Sequence, residues 1–216
     1  MQNKEQQPLM VTIRCTVFNH ERYLRECLEG FVMQKTNFRF EAIVHDDAST
    51  DGSAAIIKEY AEKYPDIIKP IYETENQYSK HDGSLRRIMN EHMHGRYIAE
   101  CEGDDYWIDP LKLQKQVDFM EGHPDFSLCG TNGLILWEEQ AQRPNYFNSE
   151  IQSKEISFKE VTSKWFFPTA GLLYKREIID KYPNWTNKIY SGDLTLVLIA
   201  AYYGKIYYFR DYTCVY

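Results

Sequence analysis

Two short runs of this 216-residue sequence crowd acidic side chains just past an apolar, extended stretch. One is His45-Asp46-Asp47-Ala48-Ser49-Thr50-Asp51-Gly52, after Phe40 to Val44; the other is Glu102-Gly103-Asp104-Asp105-Tyr106-Trp107, after Tyr97 to Cys101. Like charges held together raise one another's pKa and destabilise an empty fold, so the clusters imply a cation or polar ligand between them. Mg²⁺ and Mn²⁺ prefer oxygen ligands, and Mg²⁺ takes one or two carboxylates plus substrate phosphates. Glu102 and Asp104, separated by a glycine that permits close backbone approach, fit a site that is half protein and half diphosphate. A metal there would act as Lewis acid on a departing diphosphate. Asp46 or Asp47 could accept hydrogen bonds from a nucleobase N–H or a ribose hydroxyl. The plain alternative for each cluster is turn and capping chemistry, preferred for Asp51-Gly52-Ser53 as a turn feeding a helix cap.

The elements that must position these residues alternate. Leu9 to Val17 reads as a buried strand, followed by Tyr23, Leu24, Cys27, Leu28, Phe31 and Val32 at helical spacing. Phe40 to Val44 is a second strand. Ser53 is expected to cap a helix carrying Ile56, Ile57, Tyr60, Ala61 and Tyr64, ended by Pro65. Ile67 to Tyr72 is a third strand, Leu85 to Met93 a helix, Tyr97 to Cys101 a fourth strand and Leu111 to Met120 another helix. This alternation predicts an α/β fold with a central, mostly parallel sheet and helices on both faces. Ligands then sit beyond the carboxyl ends of the strands, where Thr16 to His20 and both acidic runs fall.

After Gly122 the pattern changes. Phe126 to Thr131 and Gly133 to Trp137 read as two strands, residues 138 to 153 as a polar mobile loop, and Pro168 to Tyr174 as a further extended stretch. A helix over Lys175 to Lys181 and an apolar helix after Asp193 complete what reads as one domain over residues 1–216. The half that carries both acidic runs spans 9–120, and the remainder 121–216.

Composition sets limits. Hydrophobic residues are 43% and charged residues 26%, ordinary for a folded chain. Lys plus Arg number 25 against 32 for Asp plus Glu, a net charge of −7, which argues against sequence-independent nucleic-acid binding. The five cysteines are scattered and unpaired in sequence, as expected of buried thiols in a reducing compartment. With no signal peptide and no membrane-length apolar run, a cytoplasmic location is expected, with association at the inner face of the membrane left open.

Together these residues resemble the family 2 glycosyltransferases. Thr16-Val17-Phe18-Asn19-His20-Glu21-Arg22-Tyr23-Leu24 resembles that family's opening segment, His45 to Ser53 its second strand and turn, and Tyr97 to Trp107 its metal-motif strand. The resemblance is strong over residues 9 to 120 and weak beyond. It implies a GT-A type, Rossmann-like domain and inverting transfer from a nucleotide diphosphate sugar, expected to be UDP-linked. The acceptor would be a hydroxyl of a saccharide or lipid-linked acceptor in surface polysaccharide synthesis. It further implies that Thr16, Asn19 and Asp47 hold the nucleoside with Asp46 beside them. Asp104 becomes the main ligand of Mg²⁺ or Mn²⁺, and Glu102, standing where the family usually has Asp, contacts ribose or metal.

Inversion needs a general base for the acceptor hydroxyl. The family supplies it at the start of a late helix, and Ser191-Gly192-Asp193 fits that position, with Gly192 replacing the usual acid. Asp193 is the expected base; helix capping would use it equally well. Asn76 and Asp82 are candidates to line the donor site. Arg86 and Arg87 are within possible reach of the diphosphate, although an exposed basic helix face is preferred for them. His92 and His94 are two apart and face different ways on a helix. Trp165 to Phe167 and Tyr207 to Phe209 are assigned to core packing rather than sugar stacking, and Trp107 to packing under the metal loop.

Neither G-x-G-x-x-G nor G-x-x-x-x-G-K-[ST] occurs. A nucleotidyltransferase would want a glycine-rich loop after the first strand, and Thr16 to His20 contains no glycine. A non-catalytic sugar-nucleotide binder is the other alternative. Relatives usually continue past the strand that closes this chain, so a truncated piece is expected; a homodimer is left open.

Overall fold

The computed structural model describes residues 7–137, 145–183, 186 and 191–216. Ten strands join one curled sheet with the main order β3-β2-β1-β4-β9-β6-β10-β5, while β7 pairs with β6 and β8 with β10. The strands are β1 Leu9–Val17, β2 Arg39–Asp46, β3 Ile68–Tyr72, β4 Tyr97–Glu100, β5 Tyr106–Trp107, β6 Phe126–Ile135, β7 Asn145–Tyr146, β8 Lys154–Ile156, β9 Leu172–Lys175 and β10 Lys205–Val215. The helices are α1 Leu24–Val32, α2 Ser53–Lys63, α3 Ser84–His92, α4 Lys112–Gly122, α5 Phe158–Val161 and α6 Gly192–Tyr203. Strands β3, β2, β1 and β4 run parallel. β9 enters antiparallel between β4 and β6, and β6 and β10 are again parallel to each other.

Strand alternation divides the interior into two cores. Val11, Ile13, Cys15 and Val17 of β1 face a core built with Leu24, Leu28 and Phe31 of α1, Ile56 and Ile57 of α2, and Leu113 and Val117 of α4. Each such buried apolar side chain contributes roughly 1.5–3 kcal/mol. The opposite face packs Ile43, Ile98, Leu128 and Leu172 against Met89 of α3 and Leu196 and Val197 of α6. All five cysteines are free and buried.

Most expected elements appear within a residue or two. The differences have local causes. Phe126–Ile135 forms one strand where two were expected over Phe126 to Trp137, because β10 pairs along its length with register shifts that absorb the irregularity. Arg176–Lys181 is a 3₁₀ helix rather than an α-helix. Ser53 does not cap α2: it is the helix's first residue, and its hydroxyl instead accepts from the His20 N–H at 3.0 Å. Within the expected 138–153 loop, Asn145–Tyr146 pairs with Leu134 and Ile135, whereas 138–144 lie outside the described residues.

Phe166, Phe167 and Tyr208 are core residues, and Tyr207 and Phe209 pack against Phe119, as assigned. Trp107 is 2% exposed, donates its indole N–H to the Ala170 carbonyl at 2.8 Å, and meets Phe31 edge-on.

Candidate active site

The ends of β1 and β2 are laced together by side chains. The Asn19 N–H donates to Ser49 Oγ at 2.9 Å, and Asn19 Oδ1 accepts from the Thr50 N–H at 2.8 Å. Glu21 and Asp51 exchange a similar pair: the Glu21 N–H donates to Asp51 Oδ2 at 3.0 Å, and Glu21 Oε2 accepts from the Gly52 N–H at 2.8 Å. Both loops turn through left-handed backbone, Asn19 at φ 58° and Ala48 at φ 62°. Asn tolerates that region; Ala does not, and is held there by its surroundings. The Asn19 side chain therefore ties two loops together.

Asp46 and Asp47 are both buried. Asp46 accepts from the Ser49 N–H at 3.4 Å. Asp47 takes the Gln77 N–H on one oxygen at 2.6 Å and the Tyr78 N–H on the other at 2.9 Å. Its carboxylate thus pins the loop after β3, and Asn76 reinforces this by donating to the Asp47 carbonyl at 3.1 Å. Thr16, half-buried, lies beside His45 in the β1–β2 register, and its carbonyl accepts from the Gly103 N–H at 3.0 Å. His45 is fully buried; both its ring nitrogens lack hydrogen-bond partners, and burial lowers its pKa against the pull of Asp47 and Glu73. Asp82 is exposed and accepts from the Ser84 N–H at 2.9 Å at the start of α3.

The second acidic run follows β4 on the same sheet edge. Gly103 packs so tightly on β1 that a Cβ there would stand 2.8 Å from His20 Nδ1 and 2.9 Å from Val17. The turn thereby aims Glu102 and Asp104 outward, both solvent-accessible, while Asp105 is 5% exposed. Asp105 Oδ2 is buried without a partner, and burial followed by the charges of Asp104 and Glu102 pushes its pKa to about 8. Partial desolvation by neighbouring atoms raises the pKa of the outward-facing Glu102; Arg14 opposes the rise, and Asp104, Glu100 and Asp193 add to it. His20 Nε2 stands 3.8 Å from Asp104 Oδ2.

Asp193 arrives from the far end of the sequence, in the first turn of α6. One oxygen accepts from the Ser191 hydroxyl and the Leu194 N–H, both at 2.8 Å; the other accepts from the Thr169 hydroxyl at 3.4 Å. Its charge acts on Glu102 and, with Asp105, Glu102 and Asp104, raises the pKa of Tyr216, after burial. Glu102, Asp104, Asp105 and Asp193 therefore set up one acidic field at this sheet edge, and Tyr216 lies within it.

Arg86 donates to the Thr186 hydroxyl at 3.0 Å and lies over the Tyr182 ring, and Arg87 is exposed beside Asp82. His92 bonds to the Ile88 carbonyl on its own helix. Among the described residues, no three His, Cys, Asp or Glu side chains meet closely enough to hold a metal unaided. Asp105, His20, Arg14 and Tyr182 adjoin or act on these acids without having been assigned a role from sequence. For Asp105 the signal was present, as the third acid of its run.

The glycosyl transferase family 2 model matches residues 12–183. The chain belongs to glycosyl transferase family 2. Rv1520 of Mycobacterium tuberculosis, an uncharacterised protein, is 37% identical over 160 residues, which are 74% of this chain and 45% of Rv1520. TuaG of Bacillus subtilis, a putative teichuronic acid biosynthesis glycosyltransferase, is 32% identical over 122 residues, 56% of this chain and 46% of TuaG. The crystal structure of S. aureus TarS 1-349 with UDP-GlcNAc superposes with a TM-score of 0.72 at 19% identity, over 96% of this chain and 58% of that one. The fold is thus that of GT-A-like glycosyltransferases. The chain spans about half the length of the curated relatives it matches. No helix among the described residues is long and apolar enough to cross a membrane.

Proposed function

We propose that this chain carries the donor site and base of an inverting glycosyltransferase that uses a UDP-linked sugar and a saccharide acceptor in surface polysaccharide synthesis. The observation that carries the reading is the placement of the Glu102-Gly103-Asp104-Asp105 turn just past β4 and against the Thr16 end of β1, with Asp193, nearly ninety positions away, near enough for its charge to act on Glu102. Such crowding is costly unless a cation or a proton offsets it. TarS, with UDP-GlcNAc bound, supports a UDP donor, and the name of TuaG supports a polysaccharide acceptor.

The nucleoside would lie across Thr16, Asp46 and Asp47, on a floor kept in place by the Asn19 lacing and by the Gln77–Tyr78 loop. Asp82, beside that loop, remains a candidate for its outer edge. The donor set fits Mg²⁺ or Mn²⁺, since Glu102 and Asp104 offer exposed carboxylate oxygens and Asp105 beside them has a buried oxygen without a partner. Asp104 and Glu102 would hold the ion, with phosphate oxygens completing the shell. When bound, such an ion neutralises charge on the leaving diphosphate.

Asp193 takes the proton from the acceptor hydroxyl as that oxygen attacks the anomeric carbon from the face opposite the diphosphate. The new C–O bond forms as the bond to the diphosphate breaks, and the configuration inverts. Thr169 and Ser191 keep the Asp193 carboxylate oriented before the acceptor arrives.

Isothermal titration of UDP and GDP, with and without Mn²⁺, tests the reading. Metal-dependent UDP binding that disappears in Asp104→Ala supports it; a folded protein that binds neither nucleotide at any metal concentration sinks it.

A further inference from the structure

The sheet face that carries Thr16 and Glu102 also carries a cation in mid-strand. Arg14 lies opposite Glu100 in the β1–β4 register and donates from Nη1 to Glu100 Oε2 at 3.0 Å. The Tyr174 hydroxyl donates to the other oxygen, Oε1, at 2.7 Å. The carboxylate is thus fixed from both sides, and 6% of its side-chain surface is open against 22% for Arg14. A guanidinium has five N–H donors in a rigid fork. Glu100 takes one of them, and part of the Arg14 side chain is open to solvent.

Stability does not explain this arrangement. A buried ion pair is often no better than well-packed apolar side chains of the same volume. Here the same-face neighbours Ile43 and Ile98 are apolar and buried. The surroundings give a better account. Besides Glu100, the Arg14 charge acts on Glu102, on His45 and on Tyr182, and Tyr182 in turn feels Asp193. Arg14 stands two residues before Thr16 on β1, and Glu100 two before Glu102, so the pair lies one step inward from the acidic turn on the same sheet face.

This rests on the donor-site reading above. A sugar whose diphosphate is held at Glu102 and Asp104, and whose anomeric carbon is within reach of an acceptor at Asp193, must cover the floor between them. We propose that Arg14 is a specificity residue for the donor, giving hydrogen bonds to hydroxyl oxygens of a neutral sugar, while Glu100 and Tyr174 are positioning residues that hold its fork. Glu102, Asp104 and Asp193 would repel an acidic sugar from the same place.

The test is isothermal titration, with Mn²⁺, of UDP, UDP-glucose, UDP-galactose, UDP-N-acetylglucosamine and UDP-glucuronate. Arg14→Met alone would strand Glu100, so the variants are R14M/E100M, in which the pair becomes apolar, and R14K, which keeps the charge without the fork. Folding is checked by circular dichroism. Wild-type protein should bind at least one neutral UDP-sugar about tenfold or more tighter than UDP, the size of a hydrogen bond from a charged donor. Both variants should keep UDP affinity within about twofold and lose most of that preference. The inference is overturned if the wild type binds no UDP-sugar better than UDP or favours UDP-glucuronate. It is equally overturned if the variants keep the preference, or if they lose UDP and UDP-sugar affinity in parallel. Absence of UDP binding to wild type is a different result: it removes the donor site itself.

Discussion

Asn19 and Thr50, 31 residues apart, join the loops that follow β1 and β2, where the Asn19 carboxamide oxygen accepts from the Thr50 main-chain N–H at 2.8 Å. Asn19 holds that position at φ 58°, so its side chain and its backbone both serve the loop contact. Asn19→Gly keeps the backbone and removes the bond. It is expected to cost about 1 kcal/mol in urea unfolding and to speed amide exchange at Thr50. Asn19→Val adds left-handed strain and should cost more. Unchanged Thr50 exchange in the glycine variant would contradict the lacing.

Asp47 is a second tie, between β2 and the loop after β3. Both of its oxygens accept main-chain N–H groups, at 2.6 and 2.9 Å. Bonds to a charged group are worth about 1.5–3 kcal/mol each. Asp47→Asn replaces one acceptor by a donor that faces an N–H. The expected loss is about 2 kcal/mol of stability, with exchange at Gln77 and Tyr78 accelerated. A variant as stable as wild type, with those amides still protected, would show that the loop does not depend on the carboxylate.

The first half of the fold was legible because its strands and helices carry clean periods: β1, α2 and β4 fall within a residue or two of their sequence bounds. The acidic runs were legible as strand-end clusters. Three features were not. Arg14 and Glu100 sit inside strands, where single charges in apolar runs carry no spacing signal, and only the β1–β4 register brings them together. The loop ties made by Asn19 and Asp47 were not read, because a sequence shows which groups are polar, not which amide each already serves. Ser53 read as a cap because its type fits, whereas Asp51 takes the Ser53 N–H at 2.9 Å and frees the hydroxyl for His20.

Gly192 opens α6 beside Asp193, and a Cβ there would meet nothing within 4 Å. Glycine in a helix costs about 0.5–1 kcal/mol relative to alanine, so Gly192→Ala should raise stability by that amount. Gly192→Asp would add an acid at a helix N-terminus, worth about 0.3–1 kcal/mol, but next to Asp193 and its acidic neighbours. The aspartate variant should therefore be no more stable than the alanine one at low salt, and should draw level or pass it as salt rises. Urea midpoints at two ionic strengths decide it; an aspartate variant clearly ahead at low salt would mean that Asp193 is not in an acidic field.

Lys112 is fully buried, with its ammonium 4.3 Å from the Trp107 ring centroid and donating to Gln116 Oε1 at 2.7 Å. Burial pulls its pKa from 10.5 to about 8, against the opposing effect of Cys214, Cys101, Cys129 and Asp109. Below pH 8 both folded and unfolded chains carry the proton, and the penalty is complete. Between pH 8 and 10.5 the unfolded chain holds more protons, so this group's penalty fades as pH rises. The buried thiols act in the other direction. Burial raises Cys27, Cys101, Cys129 and Cys214 above 9.0, so the unfolded chain ionises first and their contribution is lost as pH climbs past 9. Total stability under reducing conditions should therefore fall above pH 9, whereas Lys112→Met isolates the lysine. The variant should be more stable than wild type at pH 7.5, and its advantage should shrink by roughly 2 kcal/mol by pH 9.5. Urea unfolding of both proteins across that range measures the difference directly, and a constant gap between them would place the Lys112 pKa near its ordinary value.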